Sequence, residues 1–165
     1  MQLYVAGAPP AALPEHAGTG TSRSKPWWET PYGRWRLAAE KEAMRRVPGF
    51  ELADARLELS GRMLGWRGWL ESSLHGGDRY LVRVIYPTGF PDEPPIVFIA
   101  EPALPEGVPH LLEGNRPCLY RPMEGPRNGY DPARTTAATL VAWTALWINA
   151  YETWRATGGW PGRAE

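Results

Sequence analysis

Cys118 and His110 are the residues whose types and spacing offer chemistry. Cys118 stands in the stretch Asn115-Arg116-Pro117-Cys118-Leu119-Tyr120, and His110 lies eight residues before it. A thiol acts as a nucleophile in its thiolate form, and a free cysteine titrates at about 8.5. Arg116, Arg121 or a nearby helix N-terminus would favour the thiolate. Two roles are open to His110: a base, or a hydrogen-bond donor to a developing oxyanion. The competing reading of a single cysteine is a small buried apolar side chain. Other chemistries lack their motifs. One Cys and three scattered histidines (His16, His75 and His110) give no zinc spacing. No glycine-rich phosphate loop joins a strand to a helix, and no Gly-x-Ser-x-Gly elbow occurs. No metal or organic cofactor is therefore expected.

The elements that must hold these residues follow from the apolar pattern. A helix is expected from about Thr30 to Val47, with Thr30-Pro31 as cap and first turn and Pro48-Gly49 as the stop. Leu37, Met44 and Val47 share one side of it. Arg34, Arg36, Lys41, Arg45 and Arg46 are expected to form a basic outer face. Extended segments come next at Phe50–Ser60, Met63–Ser72, Tyr80–Tyr86 and Ile96–Ile99. Turn chemistry at Leu74-His75-Gly76-Gly77-Asp78 joins the second to the third. The run Tyr80–Tyr86 is apolar on both parities apart from Arg83, as suits a central strand. Together these make a four-stranded antiparallel meander. From Ala100 to Arg134 prolines punctuate a segment with little periodicity. Long irregular loops are usually functional or disordered, and Leu111, Leu112, Leu119, Tyr120 and Tyr130 favour a packed, functional one. A second helix begins near Thr135 or Thr136 and runs to about Arg155. Leu140, Trp143, Trp147, Tyr151 and Trp154 form its core-facing stripe, Gly158-Gly159 ends it, and Trp160-Pro161-Gly162 forms a tail.

Composition bounds the function. The chain has 165 residues, with 18 Lys+Arg against 18 Asp+Glu and no formal net charge. A nucleic-acid binder would carry a basic excess or stripe, and a membrane-surface protein a polybasic patch. Neither partner is expected. No apolar run reaches the roughly 18 residues that span a bilayer, and Met1–Ala12 lacks a positive leader segment. A single cysteine excludes an intrachain disulfide and fits a reducing compartment. The expectation is a cytoplasmic protein with a flexible arm over residues 1–26 and a single domain over 27–165.

The order of features resembles the ubiquitin-conjugating enzyme family. After the third strand comes an aromatic-Pro-x-x-aromatic-Pro-x-x-Pro-Pro stretch, filled here by Tyr86, Pro87, Phe90, Pro91, Pro94 and Pro95. The Cys-Leu pair matches Cys118-Leu119, and the aromatic-x-Pro step before the next helix matches Tyr130-Asp131-Pro132. The family's His-Pro-Asn motif corresponds to Val108-Pro109-His110: the proline is kept, and His110 falls where the Asn would be. This His, with the Trp-Pro-Gly tail, is similar to the bacterial ubiquitin-conjugating-like proteins of cyclic-oligonucleotide anti-phage signalling systems (CBASS).

The resemblance implies an α+β, UBC-like fold with a long irregular active-site loop between the meander and the C-terminal helix. It implies a transferase with Cys118 and His110 as catalytic residues. A partner's C-terminal carboxyl passes to the Cys118 sulfur as a thioester, then to a target protein lysine. The implied acyl donor is the cyclic-oligonucleotide synthase, a nucleotidyltransferase. Adenylation lies outside this chain, in a separate activating enzyme or in the partner. The alternative is a non-catalytic binding module or adaptor of the same fold. Asp131 invites two readings: shaping the approach of the lysine, or, with Pro132 behind it, capping the first turn of a short helix. Asn115 either binds loop backbone or faces substrate, and Tyr120 and Tyr130 are expected to pack.

Overall fold

The computed structural model describes residues 25–55, 63–72, 77–120 and 129–162. Almost all of the expected arm, most of the Leu74–Asp78 turn, and His16 and His75 lie outside them.

A short 3-10 turn, Trp27–Glu29, leads into helix α1, Pro31–Met44. Thr30 caps α1 as its sequence suggests. The hydroxyl accepts from the Gly33 N–H at 3.0 Å, and Pro31 occupies the first turn, where its missing N–H costs nothing. The buried side of α1 differs from the expected one. Its fully covered positions are Gly33, Arg36, Glu40 and Met44, whereas Leu37 and Val47 are only partly covered. Arg36 therefore leaves the basic outer face. An Arg and a Glu four residues apart neutralise each other and can enter the core together, which an apolar count along the helix does not register.

Four strands come next, β1 Phe50–Ala55, β2 Met63–Glu71, β3 Arg79–Ile85 and β4 Ile96–Glu101. Each pairs antiparallel with its successor in the order β1-β2-β3-β4, the expected meander. Tyr80, Val82 and Val84 alternate along β3 into the main core. They are joined there by Trp66 of β2, by Val97 and Ile99 of β4, and by Tyr86 just beyond β3. Ile85 points to the other face, where it meets Met63 and Phe98. That is why the run looks apolar on both parities.

Between β4 and the last helix the chain makes a small hairpin, β5 Leu111–Leu112 with β6 Arg116–Pro117. The irregular segment thus contains paired backbone that its sequence did not announce. Helix α2, Ala137–Thr157, then lays Leu140, Val141, Trp147, Ile148 and Tyr151 into the core. Its end is set by Gly158, left-handed at φ 76°, whose N–H returns to the Trp154 carbonyl at 2.7 Å. The architecture is α+β: helix, four-stranded antiparallel sheet, loop with hairpin, helix.

A buried polar network fixes the start of α2. Glu40 is 0% and Arg36 3% exposed. Arg36 donates through Nε to Glu40 Oε1 at 3.0 Å, and through its two Nη atoms to the carbonyls of Pro132 and Thr135, each at 2.7 Å. Glu40 Oε2 accepts from the Tyr86 hydroxyl at 2.8 Å and from the Ala137 N–H at 2.7 Å. Thr136 makes no side-chain cap. A carboxylate from α1 instead meets the positive end of α2, where exposed N–H groups favour an anion.

Candidate active site

The hairpin explains the spacing of His110 and Cys118. Leu111 pairs with Pro117 and Leu112 with Arg116, so the flanking residues 110 and 118 face each other across the ladder. The Cys118 N–H donates to the His110 carbonyl at 2.9 Å. Closing so short a hairpin requires positive φ. Gly114 supplies it at 76°, as glycine does without steric cost, and Asn115 at 56°, as asparagine tolerates better than most residues. Through its backbone carbonyl, Asn115 also accepts from the Ile99 N–H at 3.0 Å, tying the hairpin to β4. Asn115 therefore serves the loop with its main chain.

His110 is itself left-handed, at φ 55°. Its carbonyl accepts a second bond, from the Trp147 Nε1–H at 3.0 Å, so α2 and Cys118 hold the same oxygen. The imidazole is exposed and lies against the Trp160 ring, with centroids 5.1 Å apart. Cys118 is half-buried, with its sulfur 3.9 Å from the Tyr120 carbonyl oxygen. Cys118 and His110 line one cleft of about 830 Å³. The chain thus brings the two expected residues to one opening. Arg116 is exposed on β6, and Arg121 lies outside the described residues.

The remaining walls come from α2, the turn before it and the tail. Trp143, Leu146 and Trp147 contribute from α2, Asp131 and Thr135 from the turn, and Trp160 from beyond Gly158. Leu146 is 67% exposed, a large apolar side chain left open at the rim. The stripe expected to be core therefore has two duties. Leu140, Trp147 and Tyr151 are buried, while Trp143 is half-buried, and both Trp143 and Trp147 also line the cleft. Asp131 accepts from the Ala133 N–H at 2.9 Å, and its own N–H donates to the Thr135 hydroxyl at 2.9 Å. That is the capping arrangement, although it caps a turn and not the expected short helix.

Tyr120 and Tyr130 pack as expected. Their rings are 6.2 Å apart, Tyr120 lies 6.3 Å from Trp143, and Tyr130 donates its hydroxyl to the Pro91 carbonyl at 2.6 Å. Burial raises the pKa of both phenols, so both stay neutral at ordinary pH. The proline-rich bend is thereby anchored to the approach to α2. Among the described residues, no group of three His, Cys, Asp or Glu is placed to hold a metal ion. No helix among them is long and apolar enough to cross a membrane.

Sequence reasoning noted Trp160 only as part of the tail, not as a residue of the cleft, and it passed over the Arg36–Glu40 pair. Trp160 carried one signal, a large aromatic in a tail that comes after a Gly-Gly helix stop and has no other core to enter. The Arg-Glu pair carried another, its i,i+4 spacing beside Met44. A family model described as Type II CBASS E2 protein matches residues 40–165. No curated protein matches the chain.

Proposed function

The chain belongs to the type II CBASS E2 family and so has an E2-like part in CBASS anti-phage defence, from which we propose that it is an acyl transferase working through a Cys118 thioester. The observation that carries this reading is the shared cleft. A half-buried thiol opens into it beside His110, with the backbones of both residues locked together by the hairpin.

The steps are those of ordinary acyl chemistry. A donor protein's C-terminal carboxyl arrives activated as an acyl adenylate, made by a separate activating enzyme or by a partner. The Cys118 thiolate attacks the carbonyl carbon, the C–S bond forms, and AMP leaves with the C–O bonding pair. The amine of a target lysine then attacks the thioester. The oxyanion of the tetrahedral intermediate is met by the His110 imidazole or a backbone N–H. As it collapses the C–S bond breaks, sulfur leaves as thiolate, and the amine proton passes to His110 or water. The product is an isopeptide. The donor we favour is the cyclic-oligonucleotide synthase of the same defence system.

The test is co-expression with the nucleotidyltransferase that this reading expects to be encoded beside the chain, and then non-reducing gels. A thiol-sensitive adduct is expected in wild type and absent from Cys118→Ala, while Cys118→Ser traps a thiol-resistant ester. A tight complex that survives Cys118→Ala, with no adduct in wild type, would replace this reading with an adaptor of the same fold.

A further inference from the structure

His110 is fixed in its backbone, and its side chain is placed by a ring contact instead of a hydrogen bond. Its carbonyl is held from two sides, by the Cys118 N–H and the Trp147 indole. Its imidazole makes no hydrogen bond to any described residue. A side chain that donates or takes a proton needs a neighbour to set its direction, usually through a hydrogen bond. Among the described residues the ring that lies against this imidazole is Trp160, at 5.1 Å and an interplanar angle of 44°.

The tail is built to put it there. Left-handed Gly158 turns the chain out of α2, and Trp160 folds back to lie 5.6 Å from Trp147, centroid to centroid. Trp147 is buried and stacks in turn on Tyr151, with centroids 5.6 Å apart and planes 10° from parallel. One tryptophan of α2 therefore grips the His110 backbone through its N–H and supports Trp160 with its ring. Trp160 is half-buried and lines the Cys118 cleft.

We infer that Trp160 is a positioning residue that holds the His110 imidazole toward the Cys118 cleft. The inference rests on the acyl-transfer reading of Cys118 and His110. It assigns the C-terminal tail to the active site and ranks the two steps: discharge to an amine, in which His110 meets both the oxyanion and the amine proton, depends on Trp160 more than charging of Cys118 does. A displacement of the order of 1 Å in a positioned group costs about 100-fold, so a discharge rate lowered by about 10- to 100-fold is expected.

The test uses the full chain with three variants, Trp160→Leu, Trp160→Phe and a truncation after Gly159. Ring resonances of His110 are followed by NMR and assigned by their loss in His110→Gln. Charged protein is then chased with free lysine. In Trp160→Leu and the truncation, the His110 resonances should lose the ring-current displacement that an adjacent indole imposes. Discharge should slow by a larger factor than charging does, and by more than any fall in melting temperature accounts for. Trp160→Phe should restore much of both. Wild-type ring resonances in Trp160→Leu, or discharge at the wild-type rate, would overturn the inference while leaving thioester transfer standing. A wild-type chain that never charges overturns the transfer reading itself, and the positioning role with it.

Discussion

At the scale of single residues, Glu40 has the most to lose. Both carboxylate oxygens are engaged, by a guanidinium, a phenol and the first N–H of α2. Removing one partner of a buried pair strands the other charge, at a cost of about 3–5 kcal/mol. Glu40→Ala should lower the urea midpoint by a corresponding amount. Glu40→Ala combined with Arg36→Met should cost less than the two single changes added together. A simple sum would mean that the two side chains act independently and share no network. The same guanidinium binds the carbonyls of Pro132 and Thr135, which bracket the turn on the rim of the cleft. Loss of Arg36 is therefore expected to loosen the site as well as the fold.

At the scale of elements, the small hairpin brings Cys118 and His110 together, and its turn is its weak point. Asn115 sits at φ 56°. A β-branched residue there meets the left-handed penalty of about 1–2 kcal/mol, whereas glycine meets none. Asn115→Val should destabilise the chain and reduce Cys118 charging, and Asn115→Gly should do neither; equal effects from the two would argue against the turn as the cause. Gly33 is a second fixed point. A Cβ there would run into the Trp27 carbonyl, so Gly33→Ala should displace the Trp27–Glu29 turn and lower the melting temperature. These elements were unequally legible. Helix α1, the meander and α2 can be read from caps, alternation and the tryptophan stripe, because those patterns repeat over many residues. The hairpin has two residues per strand, too few for alternation to emerge, and only Gly114-Asn115 marked it. The buried face of α1 was misread because a neutralised Arg-Glu pair looks like surface. Trp160 enters the site through a fold-back that no local period encodes.

At the scale of the whole molecule, the interior is laced with tyrosines that stay protonated. Burial, then the charge of Glu40 and its hydrogen bond, holds the Tyr86 phenol well above its ordinary value. Burial, then the hydrogen bond to Glu152, raises Tyr80, and burial likewise raises Tyr130. In the unfolded chain these groups titrate at about 10. Below that pH both states carry the proton, and the contribution to stability is fully present. Above it the unfolded state ionises while the native state does not, so stability falls by about 1.4 kcal/mol per pH unit for each fully buried phenol such as Tyr86. Urea midpoints should change little on account of these phenols between pH 8 and about pH 9.5, then drop steeply toward pH 11. A flat profile through pH 11 would mean that these phenols ionise in place.

The bond between residues 118 and 110 also governs what Cys118, as the proposed nucleophile, can do for itself. In many acyl-transfer sites the amide of the attacking residue points at the carbonyl oxygen and steadies the negative charge that its own side chain creates. An amide has one proton, and Cys118 has already given its proton to the His110 carbonyl at 2.9 Å. For an acyl group carried on this sulfur, the peptide unit that supplies the attack is therefore closed to the oxyanion, whose charge falls to donors elsewhere in the cleft.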